Sequence, residues 1–211
     1  MRWWRRRSSC PVRRTPADTG CNRPRFRLAG IGAQQRRAKT LRTWEPLIIP
    51  GLLQTEAYAR AIIGCSPRLA PQVDDSTARR LARQAAVLER PEPATLSAII
   101  GEAALRHGDA ELMRPQLAHL IDMGRRLTVH VRVIPMSAGL HAGLAGAFAI
   151  ASLPAGHPTA YLDDQLRGRV VTDAGEVGEL GQVWEALCER ALPADQSRDL
   201  ISKVINDAHH D

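Results

Sequence analysis

Few residues of this 211-residue chain have the types and spacing that a chemical site requires. The sequence contains no GxSxG elbow, no Walker loop, no HExxH and no GxGxxG. Glu102 follows the apolar run Ile99-Ile100-Gly101, which places its carboxylate where a strand gives way to a helix. There it either accepts hydrogen bonds from exposed amides or contacts a ligand. Because no second acid, nucleophile or metal-ligand set adjoins it, we expect binding and no enzymatic activity.

A glycine-rich segment, PMSAGLHAGLAGAF, covers residues 135–148 and contains Gly139 and His141. Its glycines fit poorly the loops that hold phosphate at helix N-termini. The segment is either a flexible connection or a loop that closes over a ligand or partner. His141 has no histidine or carboxylate at ligand spacing, so we expect no metal and no cofactor here.

Four arginines lie near one predicted helix, mainly off its apolar stripe. The stripe consists of Ala78, Leu81, Ala82, Ala85 and Leu88. The four arginines are Arg79, Arg80, Arg83 and Arg90. Such a group could bind phosphate or a carboxylate, but the interpretation adopted here is a solvated helix face.

The charge is distributed unevenly along the chain. The formal net charge is +7, yet residues 1–45 hold 13 of the 29 Lys and Arg with only Asp18 and Glu45 as acids. The remaining residues are net negative, so phosphate backbones should not attract them. The basic run is either a solvated tail or a weak nucleic-acid arm; the arginines proposed for such an arm are Arg5, Arg6, Arg7, Arg13 and Arg14.

The first 39 residues are expected to form a disordered basic tail or connector, because they carry prolines and almost no periodic apolar residues. No apolar stretch follows the arginines, which argues against a secretory or twin-arginine signal. No apolar run approaches the roughly 20 residues that span a bilayer. The cysteines at 10, 21, 65 and 188 show no metal or disulfide spacing. We therefore expect a cytoplasmic protein with no membrane contact and reduced thiols.

The rest of the chain predicts an α+β domain over residues 40–206, with a small antiparallel or mixed sheet flanked by helices, and a short tail at 207–211. Leu127–Ile134 alternates, with Leu127, Val129, Val131 and Val133 on one face, which implies a sheet covered on one side. The other predicted strands are 95–100, 146–152, 159–162 and 168–171. One predicted helix covers 34–44, and others start at Thr55, at Asp74, at Asp173 and near Pro193. A further helical region starts at Asp109; because of Pro115, its main helix is expected from about Arg114 to Gly124, after a kink or a short first segment.

Several segments together resemble a known family. They include IPGLLQTEAYARAI at 49–62, RRLARQAAVL at 79–88, the run Glu102-Ala103-Ala104-Leu105-Arg106, QLAHL at 116–120 and VRVIPMSAGLHAGLAGAF at 131–148. In this order they are similar to the domain of unknown function 5753 of actinobacterial regulators, which are antitoxin-like relatives of the xenobiotic-response-element helix-turn-helix regulators. The resemblance implies an N-terminal helix-turn-helix and a small protein partner encoded nearby.

The first 45 residues have neither the length nor the periodicity of a helix-turn-helix domain. We therefore expect a stand-alone regulatory module that binds a small protein or a small-molecule ligand, with a homo-oligomer as a further option and DNA contacted only indirectly or weakly. The alternative is a DNA-binding transcriptional regulator whose helix-turn-helix head is truncated or encoded upstream. The residues expected to line the functional surface are Glu102, Arg106, Gln116, Gly139 and His141.

Overall fold

The computed structural model of this chain describes residues 34–154, 156–163 and 168–207. Within these ranges a mixed six-stranded sheet has the order β3-β2-β1-β4-β5-β6. Strands β1, β2 and β3 are parallel, while β4, β5 and β6 continue the sheet in antiparallel fashion from the other side of β1. The strands are β1 (Thr40–Glu45), β2 (Thr95–Gly101), β3 (Val129–Ile134), β4 (Phe148–Ser152), β5 (Thr159–Leu162) and β6 (Arg169–Val171).

Helices connect and cover these strands. They are α1 (Glu56–Gly64), α2 (Val73–Leu88), α3 (Ala110–Met123), α4 (Ala174–Arg190) and α5 (Ala194–Asp207). Short 3-10 turns are formed by Gly51–Leu53, Ala70–Gln72, Glu102–Leu105, Met136–Ala138 and Ala142–Ala145. A mixed sheet flanked by helices confirms the predicted α+β class.

Side-chain caps fix where three helices begin. The Thr55 hydroxyl accepts a hydrogen bond from the Tyr58 amide at α1, and Asp173 accepts from the Glu176 amide at α4. Asp109 likewise accepts from the Leu112 amide at α3, which confirms the predicted helical start at Asp109. The expected separation between a short first segment and a main helix from about Arg114 is wrong, because α3 is one helix from Ala110 to Met123. Pro115 removes only one backbone donor, while the cap and the burial of Met113 stabilise the first turn.

The predicted helix over 34–44 is also wrong, since only residues 34–37 are helical and Thr40–Glu45 forms the central strand β1. Leu41 is buried on one face of β1 and Trp44 on the other. The strand pairs with β2 on one side and β4 on the other, and this pairing outweighs local helix preference. The preceding residues already contact the sheet, because the Lys39 amide donates to the Ser152 carbonyl at 2.8 Å.

Both faces of the sheet are covered, so the predicted one-sided sheet is wrong. The residues of the first face include Leu41, Leu96, Ile100, Val131 and Val133, and they pack against α1, α2, α3 and α5. Those of the second face include Trp44, Ile99, Phe148 and Ile150, and they pack against Trp184 and Leu187 of α4. Leu127, predicted to point inward, is 95% exposed because β3 begins only at Val129.

Helix α2 buries only Leu88 of the predicted apolar stripe fully, and otherwise buries a neighbouring side. Ala78, Ala82 and Ala85 are exposed, whereas Thr77, Val87 and Leu88 are buried. Arg79 is exposed, but Arg80 and Arg83 are partly buried and lie over Gly51. The interpretation of a solvated arginine face therefore fails for Arg80 and Arg83.

Some expectations fall on residues that the structure does not describe. The proposed nucleic-acid arm, the tail over residues 1–33 and the end of the chain at 208–211 lie outside the described residues. Of the described cysteines, Cys65 is exposed and Cys188 partly buried, and neither forms a disulfide. Among the described helices, none combines the length and apolarity that crossing a membrane requires.

Candidate functional site

The parallel strands β1, β2 and β3 all end at one edge of the sheet, called here the carboxyl edge. At this edge β1 ends at Glu45, β2 ends at Gly101 and β3 ends at Ile134. The chain connects β1 to β2 on one side, whereas β4 lies on the other side of β1 and leads to β5. Open sheets bind ligands outside the carboxyl ends of their strands, where such connections diverge. A ligand-binding site is therefore expected at this edge.

Glu102 joins the ends of β2 and β3. Its Oε2 accepts a hydrogen bond from the Met136 amide at 2.9 Å, and its Oε1 accepts from Arg106 Nε at 3.0 Å and Nη2 at 2.8 Å. Burial alone would raise the pKa of Glu102, but the Met136 amide and the Arg106 guanidinium outweigh it and lower that pKa. The structure thus brings together two of the predicted site residues, Glu102 and Arg106.

The segment after β1 is held against the same edge. A Cβ atom on Gly101 would lie 2.4 Å from the Pro46 carbonyl oxygen, so only glycine allows this close approach. The Leu47 carbonyl oxygen is 3.1 Å from Nδ1 of His107. These contacts leave the Leu47 side chain 56% exposed at the carboxyl edge.

Residues 135–147, called here the carboxyl-edge loop, are anchored at Gly143. The Trp44 indole donates a 2.8 Å hydrogen bond to the Gly143 carbonyl oxygen. Gly143 is buried, and a Cβ atom there would lie 2.6 Å from Leu187 Cδ2. Gly139 has a positive φ of 68°, which glycine adopts without strain, and it is exposed. The anchor at Gly143 argues against a simple flexible connection.

His141 packs on the inner side of this loop. Its ring meets the Trp44 ring edge-on, with centroids 5.4 Å apart. Burial, followed by the nearby positive charge of Arg190, lowers the pKa of His141, so the neutral imidazole is favoured. Its Nδ1 is buried without a hydrogen-bond partner among the described residues. A binding role for His141 and Gly139 stays a prediction.

Four large apolar side chains are exposed around this edge, and we call them the apolar set. They are Leu47 (56% exposed), Met136 (67%), Leu140 (88%) and Leu144 (57%). Three of the four belong to the carboxyl-edge loop. Exposed apolar side chains grouped in one region indicate a contact surface, whereas isolated ones need no explanation.

Gln116 lies in the interior, on α3, and is fully buried. Its Oε1 accepts hydrogen bonds from the Thr55 amide at 2.7 Å and the Thr55 hydroxyl at 3.2 Å, while its Nε2 donates to the Leu53 carbonyl at 2.8 Å. These bonds fix the turn that precedes α1. The contact role predicted for Gln116 stays a prediction, but its polar atoms serve this turn.

A second group of side chains combines two of the four arginines in and near α2 with residues that the sequence did not single out as site residues. It consists of Glu45, Arg80, Arg83, Tyr161 and Asp163, and we call it the arginine–carboxylate cluster. Trp44, Phe148 and Leu162 are aligned across β1, β4 and β5. Glu45 directly follows Trp44, and Asp163 directly follows Leu162. Because successive side chains point to opposite faces of a sheet, Glu45 and Asp163 project from the face that packs against α2.

Hydrogen bonds and burial hold this cluster in place. Arg80 Nη1 donates to Gln54 Oε1 at 2.5 Å, and Gln84 Nε2 donates to the carbonyls of Gly51 and Gln54. Burial, reinforced by the charge of Asp163 and opposed by Arg80, raises the pKa of Glu45 to about 8. Burial also lowers the pKa of Arg83, and the adjacent Arg80 adds to that effect. The cluster thus holds two desolvated cations, the negative charge of Asp163 and a Glu45 carboxyl that is largely protonated at pH 7.

The sequence carried a weak signal for this cluster. Thr77, Arg80, Gln84 and Val87 recur at helical spacing and form one continuous stripe on α2. The alanines on the neighbouring side form a more apolar stripe, so the sequence predicts burial of that stripe instead. Elsewhere in the described ranges, no three His, Cys, Asp or Glu side chains are grouped as metal ligands would be.

The comparison with known families agrees with the residues quoted from the sequence. The model of one family, described as "Domain of unknown function (DUF5753)", matches residues 28–203. No curated protein and no solved structure matches the chain. The matched range covers most of the chain and includes every described strand, the carboxyl-edge loop and the arginine–carboxylate cluster. This chain therefore belongs to the DUF5753 family.

Proposed function

We propose that this chain is a regulatory module that binds a small protein partner reversibly through the apolar set, without bond chemistry. The observation that carries the proposal is the exposure of Leu47, Met136, Leu140 and Leu144 around one edge of the sheet. Large apolar side chains cost free energy in water, and covering them on association recovers it.

The anchoring of the carboxyl-edge loop supports this proposal. Trp44 fixes the loop at Gly143, and Glu102 fixes its start at the Met136 amide. A surface that is already ordered loses little conformational entropy when a partner binds, so more of the apolar contact contributes to affinity.

The regulatory context comes from the resemblance to antitoxin-like regulators of actinobacteria. That resemblance favours a partner that is a small protein encoded nearby and a module that works in the cytoplasm. Transcription would change when the partner binds one state of the module more tightly than another. DNA would be contacted only indirectly, or weakly through the basic residues before position 34.

The test uses the full chain and the purified products of its neighbouring genes in isothermal titration calorimetry. We expect one neighbour to bind, and the double variant Leu140→Ser/Leu144→Ser to weaken its affinity at least about tenfold. The matched control is Leu127→Ser, because Leu127 is 95% exposed but precedes β3 at the other edge of the sheet. We expect this control to bind as the unaltered chain does.

Three results would overturn the proposal: no neighbour binds, the double variant binds normally, or Leu127→Ser weakens binding equally. Sedimentation of the chain alone provides a further check. A homodimer that Leu140→Ser/Leu144→Ser dissociates would assign this surface to self-association instead of a partner.

A further inference from the structure

We propose that the arginine–carboxylate cluster binds a small molecule carrying an oxyanion, either a carboxylate or a phosphate. This site goes beyond the proposed partner surface, because it lies on the face of the sheet that packs against α2. The anchor of the carboxyl-edge loop at Trp44 and Leu187 belongs to the opposite face.

Residues of three neighbouring strands form the floor of this site. Thr43, Ala149 and Tyr161 are aligned across β1, β4 and β5, on the same face as Glu45 and Asp163. All three are partly exposed, although they lie on the face of the sheet that packs against α2.

Arg83, on the α2 side of the site, has an N–H donor that no described residue accepts. Arg83 lies over the turn before α1, with Nη2 3.1 Å from the position that a Cβ atom on Gly51 would occupy. Its Nε is buried and has no hydrogen-bond partner among the described residues. A buried donor without an acceptor is costly, and an arginine presents Nε and Nη in a planar fork that matches two oxygens of one oxyanion.

Among the described residues, the charge of the two arginines is only partly balanced, by Asp163, which lies within electrostatic range of both. Within the described part of the chain, neither Arg80 nor Arg83 forms an ion pair at 4.0 Å or less. Burial raises the pKa of Glu45 to about 8, so at pH 7 its carboxyl is largely protonated and can donate to a ligand oxygen. The two arginine charges thus exceed the single negative charge of Asp163, and together with the protonated Glu45 carboxyl they favour an anion.

Tyr161 and Asp163 close the far side of the site. A Cβ atom on Gly168 would lie 1.6 Å from the Tyr161 hydroxyl, so the ring packs directly on the backbone there and glycine is required. The Tyr161 hydroxyl is 3.4 Å from Asp163 Oδ1. A fixed hydroxyl at this edge can orient the remainder of a small ligand.

The test follows the arginine Nε–Hε resonances of the full chain by NMR during separate titrations with inorganic phosphate and with citrate. Sodium chloride at matched ionic strength is the reference. We expect saturable shifts of the Arg83 resonance with at least one of the two anions, and that anion identifies the ligand class. The matched variants are Arg83→Gln and Arg79→Gln, since Arg79 is exposed on the same helix.

We expect Arg79→Gln to bind as the unaltered chain does and Arg83→Gln, followed through backbone amides, to bind at least tenfold more weakly. If Arg83→Gln fails to fold, Arg83→Lys replaces it as the test variant. Lysine keeps the positive charge but lacks the planar fork of donors, so we expect the anion to bind at least threefold more weakly. Shifts that do not saturate, that equal those with chloride, or that persist in the Arg83 variants would mean an adventitious ion only and overturn the proposal.

Discussion

The Trp44 indole donates a hydrogen bond to the Gly143 carbonyl oxygen, which links the central strand to a loop 99 residues later in the chain. Both partners are buried, and the surrounding residues are apolar, including Phe148 and Leu187. A polar pair in such surroundings is stable only while both partners are present. The Gly143 end of the carboxyl-edge loop is therefore held by a single side chain of β1, as Glu102 holds its start at Met136.

Trp44→Phe should lower the free energy of unfolding by about 1–3 kcal/mol, because the buried Gly143 carbonyl loses its donor. Hydrogen exchange of the amides of residues 142–146 should become faster. Urea denaturation and exchange NMR measure the two effects. Trp184→Phe is the matched control, since it removes the same volume from the same apolar cluster. Equal exchange of the loop in both variants would contradict the anchor.

Gly143→Ala should lower the free energy of unfolding by about 1–3 kcal/mol, because the added methyl would overlap Leu187 and the Trp44 ring. Thermal and urea unfolding measure the effect. Gly178→Ala is the control: nothing lies within 4 Å of that Cβ position, and Gly178 is exposed within α4. It should raise stability by roughly 0.5–1 kcal/mol, as alanine does in helix interiors. A tolerated alanine at 143 would show that the loop is loosely packed.

Strands and helices with a regular apolar period could be predicted from the sequence. The alternation in Val129–Ile134 and the caps Thr55 and Asp173 all correspond to observed elements. Strand β1 could not be predicted, because Thr40–Glu45 has no clean alternation and its pairing partners lie some 50 and 100 residues away. Long-range pairing of this kind leaves little trace in the local sequence.

The site was predictable only where its contacts are local. Glu102 and Arg106 are four residues apart, and that spacing brings their side chains together. The Met136 amide, which completes the contacts of Glu102, comes from a different strand end. The sequence predicts Arg80 and Arg83 on a solvated face, because composition alone does not show that a helix buries its polar side against a turn such as Gly51–Gln54.

Gln116→Met should lower the free energy of unfolding by about 2–4 kcal/mol, because the Thr55 amide and the Leu53 carbonyl lose their partners. Methionine retains the length and apolar volume of the side chain. Gln182→Met, at an exposed position of α4, should change stability by no more than about 0.5 kcal/mol. Urea denaturation compares the two. Similar losses in both variants would contradict the bracing role of Gln116.

Glu102→Gln should lower stability at pH 7 by about 1.5–3 kcal/mol, through loss of charge-assisted hydrogen bonds. The folded-state pKa of Glu102 is lowered, so its contribution is present above the ordinary value of 4.5 and is lost as pH falls through the folded-state pKa. The variant and the unaltered chain should therefore converge in acid. Urea denaturation from pH 7 to pH 3 measures this, with exposed Glu179→Gln as the control. A constant difference at every pH would exclude the titration of Glu102 as its origin.

Glu45→Gln should remove a pH dependence of the opposite sign. The groups that act on the Glu45 carboxyl are Asp163 from the end of β5, Arg80 from α2 and Tyr58 from α1. Burial raises the pKa of Glu45 from 4.5 to about 8, so the folded chain holds a proton that the unfolded chain releases between these values. The contribution of the Glu45 carboxyl to the free energy of unfolding is fully present below pH 4.5. It is lost as pH rises through about 8, at up to about 1.4 kcal/mol per pH unit.

A glutamine at position 45 stays neutral, so the variant should match the unaltered chain near pH 5 and exceed its stability at pH 9. Urea denaturation at these two pH values measures the difference, and exposed Glu189→Gln serves as the control for a general change in charge. Parallel pH profiles for Glu45→Gln and the unaltered chain would show that Glu45 is ionised and solvated. The largely protonated carboxyl assigned to the arginine–carboxylate cluster would then be wrong, because a charged Glu45 would neutralise the arginines that face it.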